Sequence, residues 1–237
     1  MTQAMQDKLQ RGVALFDFDG TLVPWDSQVL FVDFVLRKEA WRRFYLGLFA
    51  LLAPCYRVLG DEGMKRVFLS YLWRAQPDQI AAWSREFADE VIRPQLFSGM
   101  VERLENHREA GELTVLVSAS PDFYIREVGE MLGFDTALGT PVAMRDGMRL
   151  FPDLRNHKGA EKVRRTSDLI GAPTGGQWKS SHGYTDSVAD MPMMNHCESG
   201  TVVNPSPGLE RIANDRAWEI VRLPRPWRGK LDKIFRM

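Results

Sequence analysis

Hydrophobic residues in this chain follow two different patterns in different parts of its length. Near the start and again beyond Pro94 they form short runs that end in turn residues, which is typical of strands buried on both faces of a sheet. The clearest runs lie within Gly12–Phe16, Leu113–Val117 and Gly200–Val203. A weaker strand is predicted near Gln177–Tyr184, where lysine, serine and histidine interrupt the apolar pattern.

Helical segments separate these runs. Helices are predicted over Met100–Glu109, Phe123–Leu132 and Gly159–Ile170, and Gly111 supplies a C-terminal stop for the first of them. The alternation of strands and helices predicts an α/β fold, with a Rossmann-like parallel sheet that has helices on both faces.

The stretch from Ser27 to about Glu90 has a different pattern. Its apolar residues recur at helical spacing, and its strand signals are few. Breaks are expected near Pro54, Gly60–Gly63 and Pro77. We therefore predict a core formed by residues 1–26 and 95–237, with residues 27–94 inserted after the first strand as a helical cap.

Composition and charge exclude several classes of function. The chain has 237 residues, with 31 lysines and arginines against 31 aspartates and glutamates. This balance gives no electrostatic case for nucleic-acid binding. The two cysteines, Cys55 and Cys197, form no disulfide framework, and the polar segment Met1–Arg11 does not resemble a signal peptide. A cytoplasmic location is expected.

One apolar stretch leaves membrane contact open. Phe44–Tyr56 contains no charge but is shorter than the ~20 residues that a membrane-spanning helix needs. Arginines flank it, as they flank interfacial helices. A buried or docked helix is the preferred interpretation, and contact with a membrane surface is the alternative. The C-terminal stretch Arg222–Met237 carries six basic residues against Asp232. We expect it to be a solvated segment, although it could also contact anionic lipid.

The candidate chemistry begins where the first strand ends, in the string Asp17-Phe18-Asp19-Gly20-Thr21. One carboxylate of such a pair can attack phosphorus and form an aspartyl-phosphate. The other can protonate the leaving oxygen and later deprotonate water. Gly20 allows a ligand to approach the backbone closely, and its amide can help to hold phosphoryl oxygens.

This string, directly after a hydrophobic strand, resembles the first motif of the haloacid dehalogenase-like (HAD) phosphohydrolases. Three further motifs match in order. Ser118 resembles the residue that binds the transferred phosphoryl group, and Lys158 resembles the lysine that neutralises phosphate and nucleophile. Asp186 and Asp190 resemble the acidic metal motif. In parallel sheets ligands bind beyond the carboxyl ends of the strands, where the two acids of the first motif, Ser118 and the later acids are all expected.

The resemblance implies a role for each acid. Asp17 would be the nucleophile and Asp19 the general acid and base. Asp17, the backbone carbonyl of Asp19, and Asp186 would ligate Mg²⁺, with Asp190 standing behind these ligands. Oxygen-only ligands suit Mg²⁺, which one or two carboxylates typically hold together with phosphate and water. An acid at position 19 fits a phosphatase rather than a dehalogenase.

The long helical insertion resembles that of subfamily IB, the branch that contains phosphoserine phosphatase. Asp26 stands nine residues after Asp17, where those enzymes carry an acid that binds the substrate ammonium. Leu69 occupies the place of their carboxylate-binding arginine. A small phosphomonoester that bears an amine, of the phosphoserine or histidinol phosphate type, is therefore the expected substrate.

Two other functions stay open. Some capped relatives dephosphorylate lipid head groups such as phosphatidylglycerophosphate, and the apolar run Phe44–Tyr56 would suit that activity at a membrane surface. The second possibility is a phosphate-binding protein on the same scaffold, without turnover. The sequence does not determine the oligomeric state.

Overall fold

The structure is a computed structural model that describes residues 2–227. Its centre is one six-stranded sheet in which every neighbouring pair of strands is parallel, with the strand order β3-β2-β1-β4-β5-β6. The sheet confirms the predicted α/β class. The strands are β1 Val13–Phe16, β2 Leu113–Pro121, β3 Thr136–Thr140, β4 Trp178–Thr185, β5 Cys197–Val203 and β6 Glu219–Val221.

Strand β1 lies in the middle of the sheet, where the side chains on both of its faces must be apolar. Successive side chains of a strand point to opposite faces. Ala14 and Phe16 therefore join the hydrophobic cluster on one face, and Val13 and Leu15 join the cluster on the other. All four are buried. Helices thus cover both faces of the sheet.

The helices of the core agree with the sequence pattern at most positions. The three predicted helices form as α6, α7 and α8, each within two residues of its expected start. The core helices are α1 Gln3–Arg11, α6 Ser98–Glu109, α7 Asp122–Leu132, α8 Ala160–Ile170, α9 Met191–Met194 and α10 Pro207–Asp215.

Two strands were not predicted. β3 contains Gly139 and only one large apolar residue, Leu138, while β6 has three residues at the edge of the sheet. Both are held by pairing with a stronger neighbouring strand, which local periodicity does not reveal.

The elements between β1 and α6 are all helical. They are α2 Ser27–Lys38, α3 Phe44–Leu52, α4 Tyr56–Phe68 and α5 Pro77–Glu86, joined by 3₁₀ turns and followed by a π-helical turn, Phe87–Ile92. The expected breaks occur. Pro54 lies in a 3₁₀ turn, Pro77 is the first residue of α5, and Gly60 interrupts α4 with a φ of 63°.

The base of this helical insertion packs directly on the core. Phe31 of α2 and Phe87 lie 5.0 and 5.3 Å from the ring of Tyr124 in α7, between ring centroids. All three side chains are buried in the same hydrophobic cluster as Ala14 and Phe16 of β1. Helices α3 and α4 are farther along the insertion, and residues of both line the cavity described below.

Candidate active site

The carboxyl ends of β1, β2 and β4 surround one open cavity of about 560 Å³. The floor consists of acids and a lysine from the core: Asp17, Asp19, Asp186, Asp190 and Lys162. The helical insertion supplies an apolar wall, formed by Phe49, Tyr56, Met64 and Phe68. The cavity thus combines a charged floor with this apolar wall.

Asp17 is fixed at the point where β1 leaves the sheet. Its backbone N–H donates to the carbonyl of Tyr184 at 3.0 Å, which continues the pairing of β1 with β4. One carboxylate oxygen, Oδ1, lies 2.7 Å from Nζ of Lys162, and the other accepts a hydrogen bond from Thr21 at 3.3 Å. Burial raises the pKa of Asp17 well above its usual value, Lys162 opposes that effect, and the acids Asp190 and Asp186 add to it.

Lys162 is the basic residue that the structure places against Asp17. Its Nζ lies 2.7 Å from Oδ1 of both Asp17 and Asp190, and the side chain is buried. Burial alone would lower the pKa of Lys162, but the charges of Asp17 and Asp190 raise it above its usual value. Asp190 also accepts a hydrogen bond from Thr185 at 2.8 Å. Asp190 therefore holds Lys162 in position.

The sequence analysis expected Lys158 beside Asp17, but the structure places Lys162 there instead. Lys158 lies at the mouth of the same cavity, half exposed, and its Nζ is 3.2 Å from Asp61 of the helical insertion. Lys162 follows Lys158 by four positions, but Lys158 precedes α8 and Gly159 between them has a non-helical φ of 58°. Lys162 and Thr166 are the buried residues of α8, and Leu169 packs on the same side. This periodicity was the available sign that Lys162 faces inward.

Asp19 is held by a buried hydroxyl network that the sequence did not indicate. Its Oδ2 accepts a hydrogen bond from Ser120 at 2.6 Å, and its Oδ1 accepts from the backbone N–H of Ser27 at 2.7 Å. The hydroxyl of Ser27 in turn lies 3.1 Å from that of Ser120 and 3.0 Å from that of Tyr124. Burial, followed by the charge of Asp26, raises the pKa of Asp19 to about 6. A carboxyl with a raised pKa suits proton donation near neutral pH.

Gly20 has no room for a side chain. It adopts a φ of +80°, and a Cβ built there would lie 2.0 Å from Oδ2 of Asp186. Glycine adopts this backbone conformation readily, whereas other residues rarely do. The absence of a side chain at Gly20 therefore allows Asp186 to approach the turn that carries Asp17 and Asp19.

The acids of the floor are suited to a hard divalent cation. Asp186 has no hydrogen-bond donor or ion-pair partner among residues 2–227, and burial followed by the charges of Asp190 and Asp19 raises its pKa to about 7. Within that range no three acidic, histidine or cysteine side chains are grouped as a ready-made metal site. Mg²⁺ usually takes only one or two protein carboxylates and fills its other positions with water and phosphate. Asp17, Asp186 and the carbonyl of Asp19 fit that requirement.

The remaining predicted residues have the following positions. Ser118 is fully buried in β2, and its hydroxyl oxygen accepts a hydrogen bond from the backbone of Ser120 at 3.0 Å. Its contact with phosphate stays a prediction. Asp26 lines the cavity and also caps α2, since its Oδ1 accepts from the N–H of Gln28 at 3.0 Å. Leu69 is buried within the helical insertion.

The parallel sheet, the helical insertion after its first strand and the acid pair at the end of that strand together define a class of hydrolases. A family model described as haloacid dehalogenase-like hydrolase matches residues 14–195. The chain belongs to the haloacid dehalogenase-like hydrolases.

Individual relatives agree with this family. The chain is 28% identical over 217 residues to phosphoserine phosphatase SerB1 of Mycobacterium tuberculosis, covering 87% of this chain and 69% of that protein. It is 24% identical to a histidinol-phosphatase of Neisseria meningitidis, covering 89% and 98%. A crystal structure of a Bordetella pertussis protein of unknown function has 30% identity, a TM-score of 0.76 and coverage of 89% and 98%.

Proposed function

We propose that this protein is a Mg²⁺-dependent phosphomonoester phosphatase that acts through an aspartyl-phosphate on Asp17. The observation that carries the proposal is the arrangement of the cavity floor. Asp17 lies against the cation of Lys162, and Asp19 lies two residues further on at the same cavity. A nucleophile, a charge that compensates it and an acid are the groups that phosphate-ester hydrolysis needs. The relatives named as phosphatases support the same activity.

The residues divide the reaction into two steps. A carboxylate oxygen of Asp17 attacks phosphorus, the bond from phosphorus to the ester oxygen breaks, and Asp19 gives its proton to the departing alcohol. Water then attacks the aspartyl-phosphate, Asp19 takes a proton from that water, and phosphate leaves Asp17 free. Lys162 offsets negative charge beside the nucleophile throughout. Mg²⁺, held by Asp17, the carbonyl of Asp19 and Asp186, would screen the charge of the phosphoryl oxygens.

Phosphate release with and without Mg²⁺ tests this function. The panel contains phosphoserine, histidinol phosphate, a sugar phosphate and phosphatidylglycerophosphate. We expect turnover of at least one compound that chelation of Mg²⁺ abolishes and that added Mg²⁺ restores. If no compound on the panel is hydrolysed although phosphate binds to the protein, the non-catalytic phosphate-binding function replaces this proposal.

An amine-bearing small phosphate is our proposed substrate, acted on in the cytoplasm. Asp26 supplies a carboxylate that lines the cavity near Asp19. Leu69 has a hydrocarbon side chain and is also buried, so it offers no group for a substrate carboxylate. Lys65 of α4 instead reaches across to the core, where its Nζ donates to Asn156 at 2.7 Å and to the carbonyl of Ala119. We therefore expect the carboxylate of Asp26, together with Lys65 of the insertion, to contact the leaving group.

Replacement of Asp26 by asparagine isolates the contribution of its charge. Asparagine caps helices about as well as aspartate, so Asp26→Asn keeps the start of α2 intact. We expect KM for histidinol phosphate or phosphoserine to rise about tenfold, because one charge-assisted hydrogen bond is lost. KM for p-nitrophenyl phosphate, which has no amine, should change by less than about twofold. An equal rise for both kinds of substrate would argue against ammonium recognition by Asp26.

The lipid phosphate alternative is supported by one observation. Phe49, Met64 and Phe68 give the cavity an apolar wall, which a small polar amine does not require. Phosphatidylglycerophosphate on the panel decides between the two substrate classes. Turnover of that lipid alone would reject the small amine-bearing substrate but would leave the proposed reaction on Asp17 in place.

A further inference from the structure

The segment from Trp41 to Leu59, here called the cap tip, leaves several large apolar side chains exposed. The helical stretch Ala40–Leu72, in which the tip lies, is long and apolar enough to cross a membrane by length and composition. Only 6% of the most apolar part of this stretch is buried inside the protein. A core helix of a soluble protein would be mostly buried. The composition of the tip is therefore not explained by packing inside this chain.

The exposed side chains of the tip are large. Phe44, Leu51 and Val58 are 78%, 74% and 88% exposed. Helix α3 docks through its other face, where the ring of Phe49 lies 5.3 Å from that of Phe68 and Tyr45 is buried. The expectation of a docked helix is thus met on one face only. Exposed apolar patches of this kind mark sites of interaction with proteins or membranes.

The charges of the tip have one sign. Between residues 40 and 60 the chain contains three arginines and no aspartate or glutamate, although the whole chain has no net charge. Arg42 is buried and pairs with Glu39, whereas Arg43 and Arg57 are exposed. Trp41 and Tyr56, both more than half exposed, stand near the two ends of α3. Tryptophan, tyrosine and arginine beside an apolar face are typical of segments that lie at an anionic membrane surface.

The geometry of the tip does not allow it to cross a bilayer. α3 has nine residues, about 14 Å at the rise of an α-helix, whereas the hydrocarbon core is about 30 Å thick. Gly60 breaks the next helix with a φ of 63°. Beyond it, Lys65 is tied to the core by hydrogen bonds to Thr140 and Asn156. A segment held in this way can lie on a membrane but cannot span it.

A second copy of the chain is a poorer occupant for the same surface. In a two-fold dimer the same patch meets itself. The exposed Arg43 and Arg57 of both copies would then lie in one interface, with no acid from residues 40–60 to pair with them. Like charges at an interface are unfavourable, whereas anionic lipid head groups attract them.

We propose that the cap tip docks on the surface of an anionic bilayer, with α3 lying in the plane of the interface. Phe44, Leu51 and Val58 would enter the boundary between head groups and acyl chains, and Arg43 and Arg57 would contact lipid phosphates. Phe49 and Tyr56 of the same segment line the active-site cavity, so docking brings the mouth of the cavity to the membrane surface. The inference does not depend on the proposed reaction, since vesicle binding is measured without turnover.

Vesicle flotation of the full chain tests the proposal. The probes are phosphatidylcholine vesicles with and without phosphatidylglycerol, in low and in high salt. We expect binding on the order of tenfold tighter to the anionic vesicles, and weaker binding as salt rises. Phe44→Asp combined with Val58→Asp should weaken binding by about tenfold or more, because two apolar anchors are lost. The high exposure of both residues should leave the thermal melt unchanged.

A matched charge reversal tests whether the tip is the surface that binds. Arg57→Glu should weaken anionic binding by on the order of tenfold. Arg211→Glu makes the same change at an exposed position of α10, which packs on the opposite face of the sheet, and should leave binding unchanged. Equal losses in both variants, or no binding to anionic vesicles in low salt, would overturn the proposal. Release from vesicles only by detergent would show insertion, and dimerisation through the tip without vesicle binding would show a protein partner; either result would also overturn it.

Discussion

Replacement of Asp17 by asparagine is expected to abolish turnover while the chain stays folded. The amide is a far weaker nucleophile than the carboxylate, so no aspartyl-phosphate forms. Loss of a catalytic nucleophile costs on the order of 10⁴-fold or more in kcat. Lys162 keeps its second partner, Asp190, at 2.7 Å, so the buried cation is not left alone. The measurement is kcat on the best substrate of the panel, together with a thermal melt.

Asp168→Asn is the matched control for this substitution. Asp168 makes the same kind of carboxylate contact on the surface, where it lies 2.7 Å from Arg164 on α8. Its conversion to asparagine should change kcat by less than about twofold, since exposed ion pairs contribute little. If Asp17→Asn kept more than a trace of activity in a folded protein, Asp17 would not be the nucleophile. The binding function of the scaffold would still have to be tested separately.

Replacement of Lys162 by methionine is expected to have the second largest effect. The change removes the only cation within ion-pair distance of Asp17 among residues 2–227 and leaves two buried acids facing each other. We expect kcat to fall on the order of 10³-fold, because the charge of the nucleophile and phosphate is no longer compensated. The free energy of unfolding should fall by about 3 kcal/mol, because breaking a buried ion pair leaves uncompensated charge. Steady-state kinetics and urea unfolding measure the two effects.

Lys158→Met distinguishes the contributions of the two lysines to activity. Lys158 is half exposed and pairs with Asp61 at the mouth of the cavity, so its loss should reduce kcat by less than about tenfold and change stability by less than about 1 kcal/mol. The urea curve of Lys162→Met shows whether that variant is folded under assay conditions. A folded Lys162→Met protein with full activity, beside an inactive Lys158→Met protein, would restore the assignment made from the sequence.

The two lysines illustrate how far a motif can be interpreted without a structure. Both follow the same loop, and both belong to or border one helix, α8. Distance along the chain does not distinguish them. What distinguishes them is the direction in which each side chain leaves the backbone, and that direction depends on how α8 packs against the sheet. The helical spacing of Lys162, Thr166 and Leu169 was a weak indication that Lys162 lies on the buried face of α8.

For the apolar segment Phe44–Tyr56, composition alone does not indicate which kind of helix forms. Its composition suits a core helix, an interfacial helix and part of a membrane span equally well. The decision depends on whether the rest of the chain supplies a surface to cover it. The described residues cover one face and leave Phe44 and Leu51 exposed. The basic residues of Arg222–Met237 bear on the same question, but residues 228–237 of that stretch lie outside the described residues.

The sequence alone determined the order of the central strands along the chain and the acids that follow them. Short apolar runs form buried strands because alternate side chains must cover both faces, and this requirement is local. The position of Asp17 and Asp19 after β1 follows from the same local pattern. The glycine at position 20 also has a local cause, because the backbone there adopts a φ of +80°.

Only the tertiary structure decided which residues complete the site. Lys162 lies 145 positions from Asp17, and Ser120 lies 101 positions from Asp19, yet each pair is in hydrogen-bond contact. Ser27 and Tyr124 belong to the same network through hydroxyl contacts that no spacing rule predicts. Such contacts arise because parallel strands bring their carboxyl ends to one edge of the sheet, whatever the length of chain between them.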